Sequence, residues 1–302
     1  MIDLSIIIVS FNTKELLEKC LESLVVSLQP SAISSEIIVV DNRSTDGSLE
    51  MVKSFIKKYS HKFVSGAEGQ SRSTVVRASL IRDNSRNLTI RLIENRVNLG
   101  FAKAVNQALR QAQGKVIFLL NSDTKIKKDT LEKLLQFERK VSPAIIGAAM
   151  LNPDGSIQAS VFNLPTPFRA IQEYWLGEKG SFSKYAPLGV KPQEVEAVSG
   201  GAMLISRKVT EKIGLFDERY FMYFEDLDYC RRTKKAGFKV WYLPEAEIIH
   251  QHGASGKNLA VPDDQWRRLI PSSKIYHGVF KHWLITQIIR VGQILKLNVK
   301  NE

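Results

Sequence analysis

The chain has 302 residues, of which 44% are apolar and 25% charged. This composition predicts one large or two small globular domains with a substantial core, and it excludes a disordered chain. The formal net charge of +12 favours polyanionic partners such as nucleic acid, anionic lipid or phosphorylated substrates. Two cysteines cannot build a disulfide framework, and the sequence has neither a secretory signal nor an apolar run long enough to span a membrane. We therefore expect a cytoplasmic protein.

Two segments carry the whole excess of positive charge. Nine basic residues accompany three acidic ones over residues 57–96, and seven accompany one over residues 265–302. A nucleic-acid-binding protein would interleave such basic residues with stacking aromatic residues. The first segment has only Phe63 between Tyr59 and Phe101. We therefore predict that the protein has no nucleic-acid partner.

The first 150 residues alternate apolar runs with amphipathic segments. Leu4–Val9 and Glu36–Val40 are continuous β-branched runs, which is typical of strands covered on both faces. Further strands are predicted at Leu88–Ile93, Val116–Leu120 and Ile145–Met150, and helices at Ser48–Tyr59, Phe101–Gln113 and Thr130–Val141. This alternation predicts an α/β fold with a mostly parallel sheet flanked by helices.

Two stretches break the alternation. Residues 60–88 are rich in Ser, Arg, Asn and Gly, and we predict an exposed insertion there. After Asn152, prolines punctuate a loop-rich stretch. Regular structure is predicted to return with a strand at Ala202–Ser206, a helix at about Asp226–Ala236 and a strand at Phe238–Leu243.

Residues 263–302 are predicted to form an amphipathic, basic helical tail. Six apolar residues share one predicted helix face: Phe280, Trp283, Leu284, Ile288, Val291 and Leu295. Two interpretations of this face stay open. The tail lies on an anionic membrane surface, or it packs against the rest of the chain or across a dimer.

Small polar and acidic residues follow three of the predicted strands. They are Ser10 and Asn12 after the first strand, Asp41 and Ser44 after the second, and Asn121, Ser122 and Asp123 after Val116–Leu120. Ligands of open parallel sheets bind beyond the carboxyl ends of the strands. Since these turns lack the glycine-rich dinucleotide and P-loop signatures, both of those protein classes are disfavoured. Each residue taken singly is also an ordinary turn former or helix cap.

Two further sets of residues point to chemistry. Asp123, with His250 as a second ligand, is a suitable pair for a divalent cation whose other ligands are phosphate oxygens and water. On its own, however, such a histidine is more often structural. Glu225, Asp226 and Asp228 lie between an aromatic patch and a basic helix, where a carboxylate can act as a general base. The same acids can instead stabilise a helix N-terminus.

Together and in this order, the motifs resemble a GT-A-fold glycosyltransferase of family 2, and within it the bacterial rhamnosyltransferase-like branch. The matching blocks are Ser5–Asn12, Val39–Gly47, Glu94–Ala102 with Asn106, Leu119–Thr124, Ser199–Met203, Gly214–Arg232, and His250 with Gly253 and Ser255. The resemblance implies a GT-A (Rossmann-like) domain over residues 1–262 and a helical C-terminal extension. Its nucleotide-binding half would end at about residue 125 and its acceptor half would follow.

The resemblance also implies roles for individual residues. Asp226 would deprotonate the acceptor hydroxyl, Glu225 would shape the acceptor surroundings, and Asp123 with His250 would hold Mg²⁺ or Mn²⁺. The residues implied to bind the nucleotide sugar are Ser10, Asn12, Asp41, Ser44, Asn98, Gly100, Asn121, Ser122 and Arg232. One departure is that the metal motif reads Asn-Ser-Asp, where many relatives have Asp-x-Asp.

The implied reaction is an inverting transfer of a sugar, foremost rhamnose from dTDP-rhamnose, to a cell-surface polysaccharide or a polyprenyl-diphosphate-linked glycan. Such acceptors imply a cytoplasmic protein that can bind the inner face of the cell membrane peripherally, and the sequence is compatible with an oligomer. Two alternatives stay open: the same chemistry with a UDP-hexose donor, and a nucleotide-sugar-binding protein without catalysis.

Overall fold

The computed structural model describes residues 2–28, 33–59, 88–251 and 265–299. The helices in these ranges are α1 (Lys14–Leu28), α2 (Ser48–Tyr59), α3 (Phe101–Leu109), α4 (Thr130–Val141), α5 (Pro167–Tyr174), α6 (Arg207–Ile213), α7 (Glu225–Lys235), α8 (Gln265–His277) and α9 (Val279–Val299). The strands are β1 (Leu4–Ser10), β2 (Ser35–Asp41), β3 (Leu88–Glu94), β4 (Val116–Asn121), β5 (Thr124–Ile126), β6 (Ala144–Leu151), β7 (Ile157–Gln158), β8 (Val161–Phe162), β9 (Gln193–Val195), β10 (Ala197–Val198), β11 (Ala202–Ser206) and β12 (Lys239–His250).

Ten of these strands form one sheet, whose main path runs in the order β3-β2-β1-β4-β11-β6-β12-β5. The first four strands of this path are parallel to one another. Strand β11 lies antiparallel between β4 and β6, and β12 is parallel to β6. The prediction of a mostly parallel sheet flanked by helices is therefore confirmed.

Each face of the sheet has its own core, because alternate residues of a strand point to opposite faces. Ile6 and Ile8 of β1 pack with the apolar residues of α1, α2 and α4. Ile7 points the other way and packs with residues of α3, α6 and α7. The sheet is thus covered on both sides, which explains why β1 and β2 are continuous apolar runs.

Some element boundaries differ from the prediction. The helix predicted at Phe101–Gln113 ends at Leu109, because the chain turns toward Gly114, where a Cβ would lie 2.4 Å from the nitrogen of Ser5. The loop-rich stretch after Asn152 contains short elements that were not predicted, among them α5 and β7 to β10. The predicted insertion at residues 60–88 lies outside the described residues, except that Leu88 begins β3.

The predicted apolar face of the C-terminal tail is divided in the structure. Ile288 is buried with Ile285 against α5, and the indole nitrogen of Trp175 donates a hydrogen bond of 2.8 Å to the carbonyl of Ile288. The remaining exposed apolar residues of α9 face solvent: Val279, Phe280, Trp283, Val291, Ile294 and Leu295. Helix α9 is apolar on more than one side, so its helical spacing alone did not identify the side that packs. None of the described helices is both long enough and apolar enough to cross a membrane.

Candidate active site

A cavity of about 590 Å³ opens at the carboxyl ends of the parallel strands. Val9 of β1, Asn42 after β2 and Asn121 of β4 all line it, as expected for a ligand site of an open parallel sheet. The predicted site residues that line the cavity are Asn98, Gly100, Asn121, Asp123, Glu225, Asp226 and His250. The carboxylates of Asp123 and Asp226, which lie far apart in the sequence, therefore share one cavity.

Asp123 and His250 meet at one end of this cavity. Strand β12 ends at His250, which pairs with Thr124 of β5, and its Nε2 lies 3.2 Å from Oδ1 of Asp123. The other ring nitrogen, Nδ1, lies 2.6 Å from Oε1 of Gln158. A hydrogen bond at that distance fixes the orientation of the ring and directs Nε2 toward the carboxylate.

This pair fits a divalent cation that also binds a ligand. An imidazole nitrogen and a carboxylate oxygen are both suitable ligands, and the Gln158 amide supports the ring as an outer partner. Across the described ranges, no group of three or more His, Cys, Asp or Glu residues is arranged to hold a metal. A cation here would therefore take its remaining ligands from a bound phosphate and from water.

Asp226 lies in the first turn of α7 and is held by two backbone groups. Its Oδ2 accepts a hydrogen bond of 3.1 Å from the nitrogen of Gly200, and its Oδ1 accepts one of 2.9 Å from the nitrogen of Leu227. Burial raises the pKa of Asp226, and the hydrogen bond from Gly200 and the charge of Lys184 partly oppose that rise. A half-buried carboxylate with a raised pKa can accept a proton from a substrate hydroxyl.

Glu225 has the stronger perturbation of the two neighbouring acids. Its side chain is buried, and its Oε2 accepts no hydrogen bond from the described residues. Burial raises the pKa of Glu225 to about 8, and the adjacent charge of Asp226 adds to the rise. At neutral pH Glu225 therefore holds a proton.

The chain enters α7 through a strained turn. Tyr223 and Phe224 have φ angles of 69° and 66°, in the left-handed region that costs energy for residues with a Cβ. The side chain of the N-cap residue Phe224 makes no capping hydrogen bond. The three acids of the first turn place negative charge where a helix N-terminus favours it, and Asp226 also accepts from the nitrogen of Leu227. Asp228 pairs with Arg231 and Arg232 at 2.7 and 2.8 Å.

Asp41 lies at the end of β2, in register with Ser10 of β1. Its Oδ2 accepts a hydrogen bond of 3.0 Å from the nitrogen of Ser44, whereas Oδ1 is buried and accepts none from the described residues. Burial raises the pKa of Asp41. An unsatisfied buried carboxylate oxygen is costly, and a ligand N–H group would remove that cost.

Six of the predicted site residues do not line the cavity: Ser10, Asn12, Asp41, Ser44, Ser122 and Arg232. Ser10 and Asp41 end β1 and β2, and Asn12, Ser44 and Ser122 lie in the loops that follow the strands. In these loops Asn12 accepts from Thr45, and Thr13 donates to Ser122. The Arg232 guanidinium donates to Asp228 and to the carbonyls of Ile213 and Leu215. Because the guanidinium is engaged in these hydrogen bonds within the fold, the structure does not bring Arg232 to the site.

Some residues of the cavity, and one residue that supports it, were not found from the sequence. Gln158 contacts His250 only in the folded chain, and no local motif indicates that contact. Lys184 lines the cavity from the loop-rich stretch. Helices α8 and α9, which the sequence predicted only as a helical tail, form one wall of the cavity. Their lining residues are Leu269, Ile270, Ser273, His282, Ile285, Thr286 and Ile289. Gln158 and Lys184 could not be predicted because their segments contain prolines and show little periodicity. The wall could not be predicted because the apolar residues of α9 are distributed over more than one side of the helix.

The fold is similar to that of a mannosyltransferase from Pyrobaculum calidifontis in complex with GDP-Man and Mn²⁺. The two chains have a TM-score of 0.55 and 17% sequence identity, and the match covers 95% of this chain and 64% of the other. The comparison confirms the GT-A prediction for the fold.

Two curated relatives have similar sequences. An N-acetylglucosaminyl-diphospho-decaprenol L-rhamnosyltransferase from Mycobacterium tuberculosis is 29% identical over 184 residues, which is 55% of this chain and 60% of the relative. The low-salt glycan biosynthesis hexosyltransferase Agl10 from Haloferax volcanii is 25% identical over 169 residues, which is 53% of this chain and 52% of the relative. The chain thus spans little more than half the length of these relatives.

The family described as Glycosyl transferase family 2 matches residues 5–214. That range contains the loops after β1, β2 and β4 and ends before Asp226. Because it covers more than half of the sequence, the chain belongs to glycosyltransferase family 2.

Proposed function

We propose that the protein transfers a sugar from a nucleotide diphosphate donor to a hydroxyl group of a glycan, with inversion at the anomeric carbon. The observation that carries the proposal is that Asp123 and Asp226 line one cavity. Asp123 stands with His250 at the carboxyl end of β4, where a donor diphosphate would bind. Asp226 stands at the start of α7 with the perturbed environment expected of a base.

In this proposal Asp41 and the loops beside it bind the base of the nucleotide. The buried Oδ1 of Asp41 accepts no hydrogen bond within the described chain, so a pyrimidine N–H group is a suitable donor to it. Asn42 and Asn98, which are joined by a hydrogen bond of 2.9 Å, form the cavity wall next to that site. The donor would therefore extend from Asp41 toward Asp123.

Asp123 and His250 would hold Mg²⁺ or Mn²⁺ against the donor diphosphate. A bound cation neutralises the charge that accumulates on the leaving diphosphate. Other groups of the protein orient the reactive side chains. Gln158 fixes the His250 ring, and Gly200 and Leu227 fix the Asp226 carboxylate.

Asp226 would take the proton of the acceptor hydroxyl as its oxygen attacks the anomeric carbon. The new bond joins the acceptor oxygen to that carbon, the bond from the carbon to the diphosphate oxygen breaks, and the nucleoside diphosphate leaves with the electron pair. Because the attack comes from the face opposite the leaving group, the configuration inverts. Glu225, protonated beside it, keeps a second negative charge out of the acceptor site.

Rhamnose from dTDP-rhamnose is the donor sugar that we favour, since the relative from M. tuberculosis is named as an L-rhamnosyltransferase. A UDP-hexose is the second candidate. The same relative's name identifies a diphospho-decaprenol substrate, so we propose a lipid-linked glycan as the acceptor.

We propose in addition that the exposed face of α9 rests on an anionic bilayer. Phe280 is 72% exposed and Trp283 is 55% exposed, and large apolar residues in such positions are typical of interfacial helices. Residues 265–299 include six basic residues and no acidic residue. This charge is complementary to an anionic lipid surface.

The donor proposal is tested with a panel of nucleotide sugars. We expect dTDP-rhamnose in the presence of Mn²⁺ to raise the midpoint of thermal unfolding more than UDP-hexoses do, since a bound ligand stabilises the fold by mass action. Donor hydrolysis should follow the same order and should be lost in Asp123→Ala. A protein that binds none of these donors, or an Asp123→Ala variant with full turnover, would contradict the proposal.

A further inference from the structure

The turn that leads into α7 is held from two sides. Its first two residues are Phe221 and Met222, and the carbonyl group of each accepts a short hydrogen bond from another part of the chain. The nitrogen of Phe101, at the start of α3, donates to the carbonyl oxygen of Phe221 at 2.7 Å. Oγ of Ser272, in α8, donates to the carbonyl oxygen of Met222, also at 2.7 Å. We call residues 221–224 the entry turn.

The shape of the entry turn determines where α7 begins. Tyr223 and Phe224 have φ angles of 69° and 66°, and two consecutive residues with a Cβ stay in the left-handed region only where the surrounding structure holds them there. Asp226 follows two residues after this strained pair. A Cβ at Gly200 would lie 3.5 Å from the Cβ of Asp226, so a small rotation of the first turn of α7 would change this contact.

Helix α8 also packs against the entry turn through aromatic rings. The ring of Phe224 contacts the rings of Tyr276 and His277, with centroids 5.3 and 5.7 Å apart. Tyr276 is buried. The guanidinium of Arg231, in α7, lies 4.0 Å from the centroid of the Tyr276 ring and donates a hydrogen bond of 3.3 Å to the carbonyl of the same residue. Helix α8 is therefore attached both to the entry turn and to α7, the two elements that define the position of Asp226.

Ser272 can act on the reaction only through the entry turn. The residue is 2% exposed, and it does not line the cavity, although Met222 and Tyr223 do. Loss of a hydrogen-bond donor from a part-buried carbonyl group is costly, and a strained backbone relaxes toward an ordinary conformation when its support is removed. Such a relaxation would displace the start of α7.

We propose that Ser272 is a positioning residue for Asp226. By binding the carbonyl of Met222, it keeps the entry turn in its left-handed conformation. It thereby keeps Oδ2 of Asp226 at 3.1 Å from the nitrogen of Gly200. This inference rests on the proposed function because Asp226 is the proposed base, whereas the geometric effect of Ser272 on that carboxylate does not depend on the assignment. It gives a role to α8, which lies outside the residues matched by the family.

The position of Asp226 can be measured by NMR in the full chain without a ligand. In protein labelled with ¹⁵N-glycine, hydrogen exchange of the Gly200 amide reports its bond to the Asp226 carboxylate, and Gly200→Ala identifies its signal. We expect Ser272→Ala to raise the exchange rate of Gly200 roughly tenfold relative to that of Gly147 in β6, since losing one hydrogen bond changes a local opening equilibrium by about that factor. An unchanged ratio of the two rates would overturn the proposal.

A matched variant separates positioning from overall stability. Ser27 is 6% exposed, and its Oγ donates a hydrogen bond of 2.9 Å to the carbonyl of Lys128; neither residue lines the cavity. Ser27→Ala therefore loses the same kind of bond as Ser272→Ala, and the two variants should unfold at similar urea concentrations. Only Ser272→Ala should raise the relative exchange rate of Gly200. An equal rise in both variants would show that Ser272 contributes only to overall stability and would refute the positioning role.

The aromatic contact provides a second test that leaves Ser272 in place. Tyr276→Leu removes the ring that contacts Phe224, whereas Tyr276→Phe retains a ring there. We expect Tyr276→Leu to raise the relative exchange rate of Gly200 and Tyr276→Phe to leave it unchanged. Equal rates in these two variants would contradict the support of the entry turn by α8.

Donor hydrolysis distinguishes this inference from the proposed function. In the presence of Mn²⁺, we expect kcat for hydrolysis of dTDP-rhamnose to fall roughly tenfold in Ser272→Ala, because a displaced base acts less efficiently. The Kd of dTDP should not change, and Ser27→Ala should keep the kcat of the parent protein. If the parent hydrolyses no nucleotide sugar but Gly200 responds as expected, the proposed function fails and the positioning of Asp226 by Ser272 stands. If the parent hydrolyses the donor and Ser272→Ala keeps full kcat, only the inference about Ser272 is refuted.

Discussion

Nε2 of His250 lies 3.2 Å from Oδ1 of Asp123, and Nδ1 of the same ring lies 2.6 Å from Oε1 of Gln158. The three residues come from the end of β12, the loop after β4 and the short strand β7. The amide holds the imidazole ring so that the lone pair of Nε2 lies beside the carboxylate. A cation could then bind the ring nitrogen and a carboxylate oxygen together.

Gln158→Ala should weaken metal binding while leaving the reaction intact at saturating metal. We expect the Mn²⁺ concentration for half-maximal donor hydrolysis to rise roughly 10- to 100-fold, the usual cost of losing such an outer partner. Titrating Mn²⁺ into the parent protein and into the Gln158→Ala variant measures this concentration. Gln136→Ala, at an exposed residue of α4 whose amide donates a hydrogen bond to Glu132, serves as the control. An unchanged titration would remove Gln158 from the site.

Asp226→Asn and Asp228→Asn should separate a functional acid from a structural one. Asp226→Asn should lower acceptor-dependent turnover roughly 100- to 10,000-fold, the usual contribution of a general base, with nucleotide binding unchanged. Asp228→Asn should instead cost about 2 kcal/mol of the free energy of unfolding, since it weakens the ion pairs with Arg231 and Arg232. Steady-state kinetics and urea unfolding of both variants test this contrast, and similar effects of the two substitutions would contradict it.

Glu225 should make the folded protein less stable as pH rises. Its pKa is raised to about 8 by burial, so between its ordinary pKa near 4.5 and pH 8 the folded chain binds a proton that the unfolded chain has released. Stability from this group is therefore complete at low pH and is lost as pH increases through that window. Urea unfolding at pH 5, 6, 7 and 8 should show Glu225→Gln becoming progressively more stable than the parent. The exposed Glu211→Gln is the control, and a constant difference across this range would refute the assignment.

Gly100→Ala should be more destabilising than Gly214→Ala. Both glycines have a positive φ angle, +80° and +78°, but a Cβ at Gly100 would lie 2.4 Å from the carbonyl oxygen of Phe221, whereas a Cβ at Gly214 would meet nothing within 4 Å. We expect a loss of about 3 kcal/mol at Gly100, from strain and a clash, and of about 1 kcal/mol at Gly214, from strain alone. Chemical unfolding checks both values. Equal losses would show that the contact with Phe221 is easily relieved.

Binding to anionic vesicles should depend on the outer face of α9. We expect Phe280→Ser combined with Trp283→Ser to lower the fraction bound to phosphatidylglycerol vesicles at least fivefold, with little binding to phosphatidylcholine for either protein. Val26→Ser, at an apolar residue of α1 that is 60% exposed, is the control. Point variants are preferable to deleting residues 283–302, because the deletion also removes Ile285 and Ile289 from the cavity. Unchanged cosedimentation of the double variant would contradict membrane contact.

The sheet could be predicted from the sequence because its signals are local. Continuous apolar runs identified β1 and β2, and the polar residues after each strand marked the edge where the cavity opens. Strand β12 was predicted only as far as Leu243, since Pro244 follows. The structure continues the strand through a register shift between Leu243 and Glu247, and only this irregular continuation brings His250 to Asp123.

The candidate site was harder to predict on its acceptor side. Asp123 and Asp226 belong to motifs with a recognisable composition, so the sequence could nominate them. Lys184 and Ile289 contribute through tertiary packing, which leaves no periodic or spacing signal in their own segments. Arg232 belongs to a recognisable motif too, yet its guanidinium is used by Asp228 and two backbone carbonyls, a competition that composition does not reveal.

The antiparallel strand β11 has a consequence for how the polypeptide assembles. It alone joins β4 to β6 in the described sheet, so the two sides of the sheet have no shared hydrogen bonds until Ala202–Ser206 arrives. During synthesis about two thirds of the chain must therefore leave the ribosome before β11 can pair with the edge of β4 that faces away from β1. Unpaired apolar edges promote aggregation, so shielding of the nascent chain matters most in that interval.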